Sequence, residues 1–298
     1  MKCPVCNSIN TLYFDSYRAN NIIFRGVDKN TCTDCGLVFT SPMPNKKELE
    51  RYNSNYFEEA HGGLAKGRIS QLFFNGISKI RGCYISQFLF KYKINPSEVL
   101  EIGPGHGFFA KNWISNHAGV SYSVIETDAT CYPLLNNVGL KVFKSFEEIQ
   151  IKPQKDLVVM SHVLEHVSRP LELIKNISGV MLKGGVIFIE VPCRDYLYKK
   201  IDEPHLLFFD KQSLHKLLEG AGFGCIETTY HGELLKEIKP HPFFYKKILA
   251  IITRLKVLLM LLRFIKVENM ESSVLKPFQA DKQQNDMSRW IRAIAIKN

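Results

Sequence analysis

The stretch from Val99 to Phe109, VLEIGPGHGFF, constrains this chain more than any other. A short run of strand character leads into Gly103, Gly105 and Gly107, and an apolar helical pattern follows. Glycine lets the backbone turn sharply and lie close to a ligand, while the N-terminus of the next helix favours negative groups. In open sheets of this kind the ligand binds outside the carboxyl ends of the strands. Glu126 ends the second strand roughly 20 residues further on, where a carboxylate takes both ribose hydroxyls. The spacing is Gly-x-Gly-x-Gly, not the Gly-x-Gly-x-x-Gly that accommodates a pyrophosphate.

Strand and helix patterns alternate after Pro96, which predicts a parallel sheet covered by helices. EVLEIG, VSYSVIE, GLKVF, KDLVVM and GGVIFIEVP read as five strands; GFFAKNWISN, SRPLELIKNISGVML and KQSLHKLLEGAGF read as helices. GCIETTY and the alternating RWIRAIAIKN read as an antiparallel pair, with residues 232–288 inserted between them as a basic, helical segment. An insertion that long has structure or function of its own. The expected organisation is a zinc ribbon over 1–42, a helical cap over 43–96 and an α/β domain over 97–298. In the cap, NKKELERYNSNYF reads as a short helix capped by Asn45.

Cys3-Pro-Val-Cys6 and Cys32-Thr-Asp-Cys35 form two knuckles 25 residues apart. No apolar leader is visible in MKCPVCNSIN, which points to the cytoplasm, where such pairs read as metal sites rather than disulfides. Four thiolates satisfy a tetrahedral Zn²⁺, and the ion supplies stability that a 40-residue module lacks. TLYFDSY and NIIFRGV are the expected ribbon strands. Cys83, Cys131, Cys193 and Cys225 are scattered singly and read as core thiols.

The net charge of +10 is uneven: residues 236–266 hold eight Lys or Arg against Glu237 alone. A basic segment invites nucleic acid, an anionic membrane or a phosphorylated substrate, or is simply a solvated face. ILAIITRLKVLLMLLRFIKV is interrupted by Arg254, Lys256 and Arg263, which argues against a spanning helix. Its apolar residues either roof the substrate crevice or rest, over 243–266, on an anionic membrane.

DLVVMSHVLEHV runs into His162, Glu165 and His166, at i, i+3 and i+4. On one helical face these are metal ligands, an acid–base pair, or a polar seam where a strand ends. The residues alone leave all three open.

EIGPGHG, Glu126, the fourth-strand stretch DLVVMSHVLEHV and LKGGVIFIEVP, in that order, resemble the motifs of class I S-adenosylmethionine-dependent methyltransferases. The resemblance covers roughly 97–230 and implies a Rossmann-like, seven-stranded sheet completed by the terminal strand. It places Glu101, Gly103, Gly105 and Gly107 at the methionine end of the cofactor pocket, Glu126 on the ribose, and Ser161 beside the cofactor.

The zinc-ribbon prefix, YNSNYF and EPHLLFFDKQSLHKLLEGAGF further resemble bacterial methyltransferases of sugar and surface-glycan pathways. Their C-methylating members carry Glu-His where this chain has Pro204-His205, and they have a further C-terminal domain. Both departures favour O-methylation, with His205 the first choice of catalytic residue and His166, His162 and Glu165 beside it. Metal-assisted O-methyltransferases have Glu-x-x-Glu-His where this chain has His162-x-x-Glu165-His166. That likeness keeps a metal on those residues and His205 open. The expected activity is methyl transfer to a hydroxyl of a sugar or glycan, lipid-linked if the basic segment meets a membrane. The alternatives are a nucleic-acid methyltransferase, against which the absence of an Asn/Asp-Pro-Pro-Tyr/Phe motif counts, and a non-catalytic zinc-ribbon binding module.

Overall fold

The computed structural model describes residues 1–64, 67–149, 154–238, 252, 255–256, 258–259, 262, 264–275 and 283–298. At the N-terminus, β1 (Thr11–Ser16), β2 (Asp28–Cys32) and β3 (Val38–Ser41) form an antiparallel meander that brings Cys32 opposite Thr11. NIIFRGV is not the second strand. Asn21 accepts a hydrogen bond from the Ile23 amide and starts a 3-10 turn over Ile22–Phe24, and Gly26, at φ 72°, turns the chain before β2 begins. An apolar run with strand propensity has yielded here to local side-chain capping and a glycine.

The cap comprises α1 (Lys46–Ser54), α2 (Tyr56–His61) and α3 (Arg68–Tyr92). The Asn45 side chain accepts from the Lys47 amide at 2.9 Å and so satisfies one orphan donor of α1.

The main sheet is built from β4 (Glu98–Ile102), β5 (Ser121–Ile125), β6 (Lys141–Phe143), β7 (Lys155–Ser161) and β8 (Met181–Pro192), all parallel to one another. Between them run α4 (Phe108–Asn116), α5 (Tyr132–Asn137) and α6 (Pro170–Val180). β9 (Leu207–Phe208) leaves this sheet and pairs with β3 instead. α7 (Lys211–Gly220) then leads to β10 (Phe223–Leu234). The remaining elements are α8 (Val267–Leu275), the two-residue β11 (Gln283–Gln284) and β12 (Ser288–Lys297). The order is β11-β10-β12-β8-β7-β4-β5-β6, so β12 lies antiparallel between β8 and β10. Seven strands make the sheet, and β11 extends its edge. The order reverses at β4, which opens a crevice at the carboxyl ends of β4, β5 and β7.

Alternate residues of the central strands feed two cores, as a period of two requires. Leu100, Val158, Met160, Ile187 and Ile189 join Ile174, Ile177, Leu214 and Leu217, and the same cluster runs on into Val38, Phe39, Cys3 and Cys35. Val99, Val159, Val186 and Phe188 face Ile85, Phe88, Phe109 and Trp113. The N-terminal meander thus shares one continuous core with the sheet.

Of the insertion, α8 packs on α3. A Cβ on Gly76 would come within 2.5 Å of Leu275, and Lys79 pairs with Glu271 at 3.1 Å. Most of the basic stretch 239–263 lies outside the described residues. Among the described residues, no helix is long and apolar enough to cross a membrane.

Candidate functional site

Glycines at the carboxyl end of β4 shape the first half of the crevice. Gly103 and Gly105 have φ of 67° and 54°, a region open to glycine at little cost. A Cβ on Gly103 would stand 2.4 Å from Val163, and one on Gly105 would stand 3.2 Å from the Phe57 ring. Gly107, also left-handed at φ 74°, precedes α4 and faces Leu135.

Glu126, at the end of β5, accepts the Gly105 amide at 3.0 Å and the Asp128 amide at 2.9 Å. One carboxylate therefore fixes the glycine turn and stands beside it. Phe57 of α2 covers the turn, and its amide donates to Asp128 at 2.8 Å. Glu101 is buried and accepts the Tyr122 hydroxyl at 2.8 Å; burial raises its pKa to about 7. Its carboxyl is thus engaged beneath the turn, while Ser161 ends β7 on the crevice side.

Beyond β7, Leu164–His166 form a 3-10 turn rather than an α-helix, so the i, i+3, i+4 spacing does not make one helical face. His162 has φ 56°, which costs a non-glycine residue on the order of 1–3 kcal/mol. Two carboxylates hold it there: Nδ1 lies 3.3 Å from Glu165 and Nε2 lies 3.2 Å from Glu190. Burial opposes its charge, yet these carboxylates keep its pKa above the ordinary value. Burial likewise opposes the Glu165 charge, but His162 and the neighbouring imidazoles bring that carboxyl below its ordinary value. Neither Glu165 oxygen completes a hydrogen bond among the described residues.

His166 differs from His162. Burial pushes its pKa down to about 3, so the ring is neutral. Nδ1 is 3.3 Å from the Pro204 carbonyl and Nε2 is 3.5 Å from the Tyr56 hydroxyl, which assigns the proton to Nδ1. The His205 ring stands edge-on to it with centroids 4.8 Å apart. Nδ1 of His205 lies 2.7 Å from Asp195, a buried carboxylate also paired with Lys199 at 2.7 Å. Against the cost of burial, His205 and Lys199 hold the Asp195 carboxyl far below its ordinary range. An imidazole with a carboxylate on Nδ1 keeps Nε2 as its basic nitrogen. One donor atom from each of Glu165, His166 and His205 lies within 4.8 Å of the others, with His162 outside that trio.

Two groups escaped the sequence reading. Asp195 could have been marked as an acid just past the end of β8, ten residues before His205. The second is a buried network around Glu190, which accepts Arg81 Nε at 2.9 Å and Arg292 Nε at 2.6 Å in addition to His162. Arg292 NH1 also stands 3.3 Å from His231 Nδ1. Its members come from α3, β8, β10 and β12, and no local pattern connects them.

The four cysteines converge. Cys3 and Cys35 are 3.6 Å apart, as are Cys6 and Cys32, and all four sulfurs lie within 4.8 Å of one another. A tetrahedron with Zn–S of about 2.3 Å has an edge of about 3.8 Å, so the cluster fits that ion. The Cys35 thiol and then, against burial, the Cys6 and Val5 amides draw the Cys3 pKa down to about 5, the thiolate form a metal requires.

A family model described as a methyltransferase domain matches residues 83–228. Residues 83–228 have the fold of a methyltransferase domain. Its sheet order and glycine turn are those of the class I, S-adenosylmethionine-dependent fold, and the crevice over Gly103, Gly105 and Glu126 lies at the carboxyl ends of its strands. A ubiquinone biosynthesis O-methyltransferase of Rickettsia bellii is 29% identical over 156 residues, which are 49% of this chain and 61% of that relative. This chain therefore matches less than two thirds of the relative's length. The solved structure of the plantazolicin methyltransferase BamL, bound to a triazolic desmethylPZN analog and SAH, has a TM-score of 0.50 at 14% identity, covering 85% of this chain and 97% of that one. An S-adenosylmethionine-dependent methyltransferase from Archaeoglobus fulgidus has a TM-score of 0.49 at 19% identity, covering 81% and 98%. At 14% identity the BamL structure speaks to the methyltransferase fold alone.

Proposed function

We propose that the protein transfers the methyl group of S-adenosylmethionine to a hydroxyl of a sugar or glycan, with His205 as the base. The observation that carries this reading is the contact between Asp195 and His205 Nδ1, beside the neutral His166. The acceptor oxygen attacks the sulfonium methyl, the carbon–sulfur bond breaks, and the hydroxyl proton passes to His205 Nε2. Positioning supplies most of the acceleration, and the base adds to it. His166, held neutral by burial, accepts from Tyr56 and frames the acceptor.

O-methylation is favoured over C-methylation because proline stands at 204, where the C-methylating enzymes carry the glutamate that precedes the histidine, and the carboxylate before it is engaged elsewhere. Glu203 turns away and accepts the Asn20 and Asn21 amides at 3.0 and 2.8 Å. The O-methylating relative supports the same choice, and the likeness to surface-glycan enzymes in YNSNYF and the His205 region supports the acceptor class. Zinc at Cys3, Cys6, Cys32 and Cys35 is structural in this reading. The protein works in the cytoplasm, with the basic segment 243–266 as a peripheral contact to a membrane carrying the acceptor.

The test is transfer of tritiated methyl from S-adenosylmethionine to parallel panels of nucleotide sugars, lipid-linked oligosaccharides, a catechol, tRNA and duplex DNA. Labelling of a sugar fraction, lost in His205→Gln, is expected. Labelling of nucleic acid alone, or undiminished turnover in His205→Gln, refutes the reading. A second reading has a specific observation behind it: the buried Glu165 carboxylate without a hydrogen bond, close to His166 and His205, fits a divalent cation. Zinc beyond one per chain, retained in Cys32→Ser and lost in Glu165→Gln, would favour it.

A further inference from the structure

We propose that the four-cysteine module positions His205, acting through Tyr17, Arg18 and Lys29. The proposal deepens the reading of His205 as the base and rests on it. Residues 202–208 run between the module and the sheet, and the module grips them at successive points. Lys29, fully buried in β2, donates to Asp202 at 2.7 Å, and Arg18 donates to the same carboxylate from its backbone at 2.9 Å and from Nε at 3.0 Å. The Asp202 amide returns a bond to the Arg18 carbonyl at 2.7 Å, and the Asp202 carbonyl accepts the His205 amide at 3.0 Å. The Tyr17 hydroxyl donates to the His205 carbonyl at 2.9 Å. β3 then pairs with β9, and the Thr40 amide reaches the Leu206 carbonyl at 2.9 Å.

Both backbone polar groups of His205 are therefore fixed by, or one step from, module residues. Across the segment, the Leu206 amide donates to the Glu165 carbonyl at 2.7 Å, which ties the same turn to the His162–His166 stretch. A buried lysine is tolerated only when paired, and Lys29 places its otherwise costly charge closest to this loop, 2.7 Å from Asp202 against 3.6 Å from Asp15 of its own module. A spacer or docking module would need no such investment. Misplacing a reacting group by about 1 Å costs up to about 100-fold in rate, so a grip of this kind is worth having.

The experiment uses the full chain labelled with [13Cε1]-histidine, with the His205 signal assigned by its loss in His205→Gln. Tyr17→Phe keeps the ring packed on Phe24 and deletes only the hydroxyl; Lys29→Met is the second variant. Both are expected to shift or broaden the His205 signal, to leave His162 unmoved and to bind S-adenosylhomocysteine as the parent does. With the sugar acceptor found above, kcat should fall about 10-fold or more in Tyr17→Phe at unchanged KM for S-adenosylmethionine. In a His205→Gln background, Tyr17→Phe should cost nothing further. An unmoved His205 signal in both variants, or a Tyr17→Phe loss that multiplies that of His205→Gln, overturns the proposal. Full turnover in His205→Gln would instead remove the base reading, and the spectra would still decide whether the module positions the residue.

Discussion

Glu126 binds two backbone amides with one carboxylate, so its loss should be felt twice: in the glycine turn and in the ribose contact proposed for it. Glu126→Ala is expected to weaken S-adenosylhomocysteine binding by about 1.5–3 kcal/mol, roughly 10- to 150-fold by calorimetry. Gly105→Arg should do at least as much, because a side chain there must displace the Phe57 ring and adopt a left-handed backbone. His166 gives a pH prediction. Burial lowers its pKa from 6.5 to about 3, so between those values the folded chain binds fewer protons than the unfolded one. Stability must therefore fall as pH falls through that window, by up to about 1.4 kcal/mol per unit. Urea midpoints measured from pH 6.5 to 4.5 should show this slope, and His166→Gln should flatten it. His162, with its pKa raised, has the opposite sign: its contribution is full below 6.5 and fades as pH rises through its folded value. The strand ends that carry Gly103, Glu126 and His166 were legible in the sequence because each has a local pattern. Asp195 and Glu190 were not, since an acid in a sequence does not announce which imidazole or guanidinium the folded sheet will bring to it.

Among the elements, the strands of the parallel sheet could be read because period-two apolar runs and the glycine turn are local signals. The second strand of the N-terminal meander could not, because Asn21 and Gly26 turn NIIFRGV aside and the real strand, DKNTC, is polar. That meander shares its core with the sheet, which sharpens the zinc prediction. Purified protein should hold about one zinc by elemental analysis. Cys32→Ser should lower the melting temperature of the chain while S-adenosylhomocysteine still binds, because Glu126 and the glycine turn lie on other elements. The contact of α3 with α8 depends on the missing side chain of Gly76. Gly76→Val should collide with Leu275 and cost about 1–3 kcal/mol by overpacking, seen as faster amide exchange over Val267–Leu275.

The whole molecule carries +10, of which the segment 236–266 supplies seven, and the proposed partner of that surface is an anionic membrane. Each cation near such a surface contributes about 1 kcal/mol, weakened by salt. Sedimentation with anionic vesicles at low salt should pull the protein down; neutral vesicles or high salt should release it. Binding unchanged when Lys246, Lys247, Arg254 and Lys256 become Gln would leave the segment without that role. Finally, β12 sits in the interior of the sheet, hydrogen-bonded to β8 on one side and β10 on the other. A nascent chain emerging from the ribosome thus has Gly103, Glu126, His166 and His205 outside long before residues 288–297 appear. Until then β8 and β10 each present an open edge, and the run Val186–Val191, apolar except for Glu190, has no partner on that side. An open edge of this kind pairs readily with another chain. Rapid translation of the stretch from β10 to β12, or a chaperone on the waiting edge, is thus part of what this topology demands of the cell that makes it.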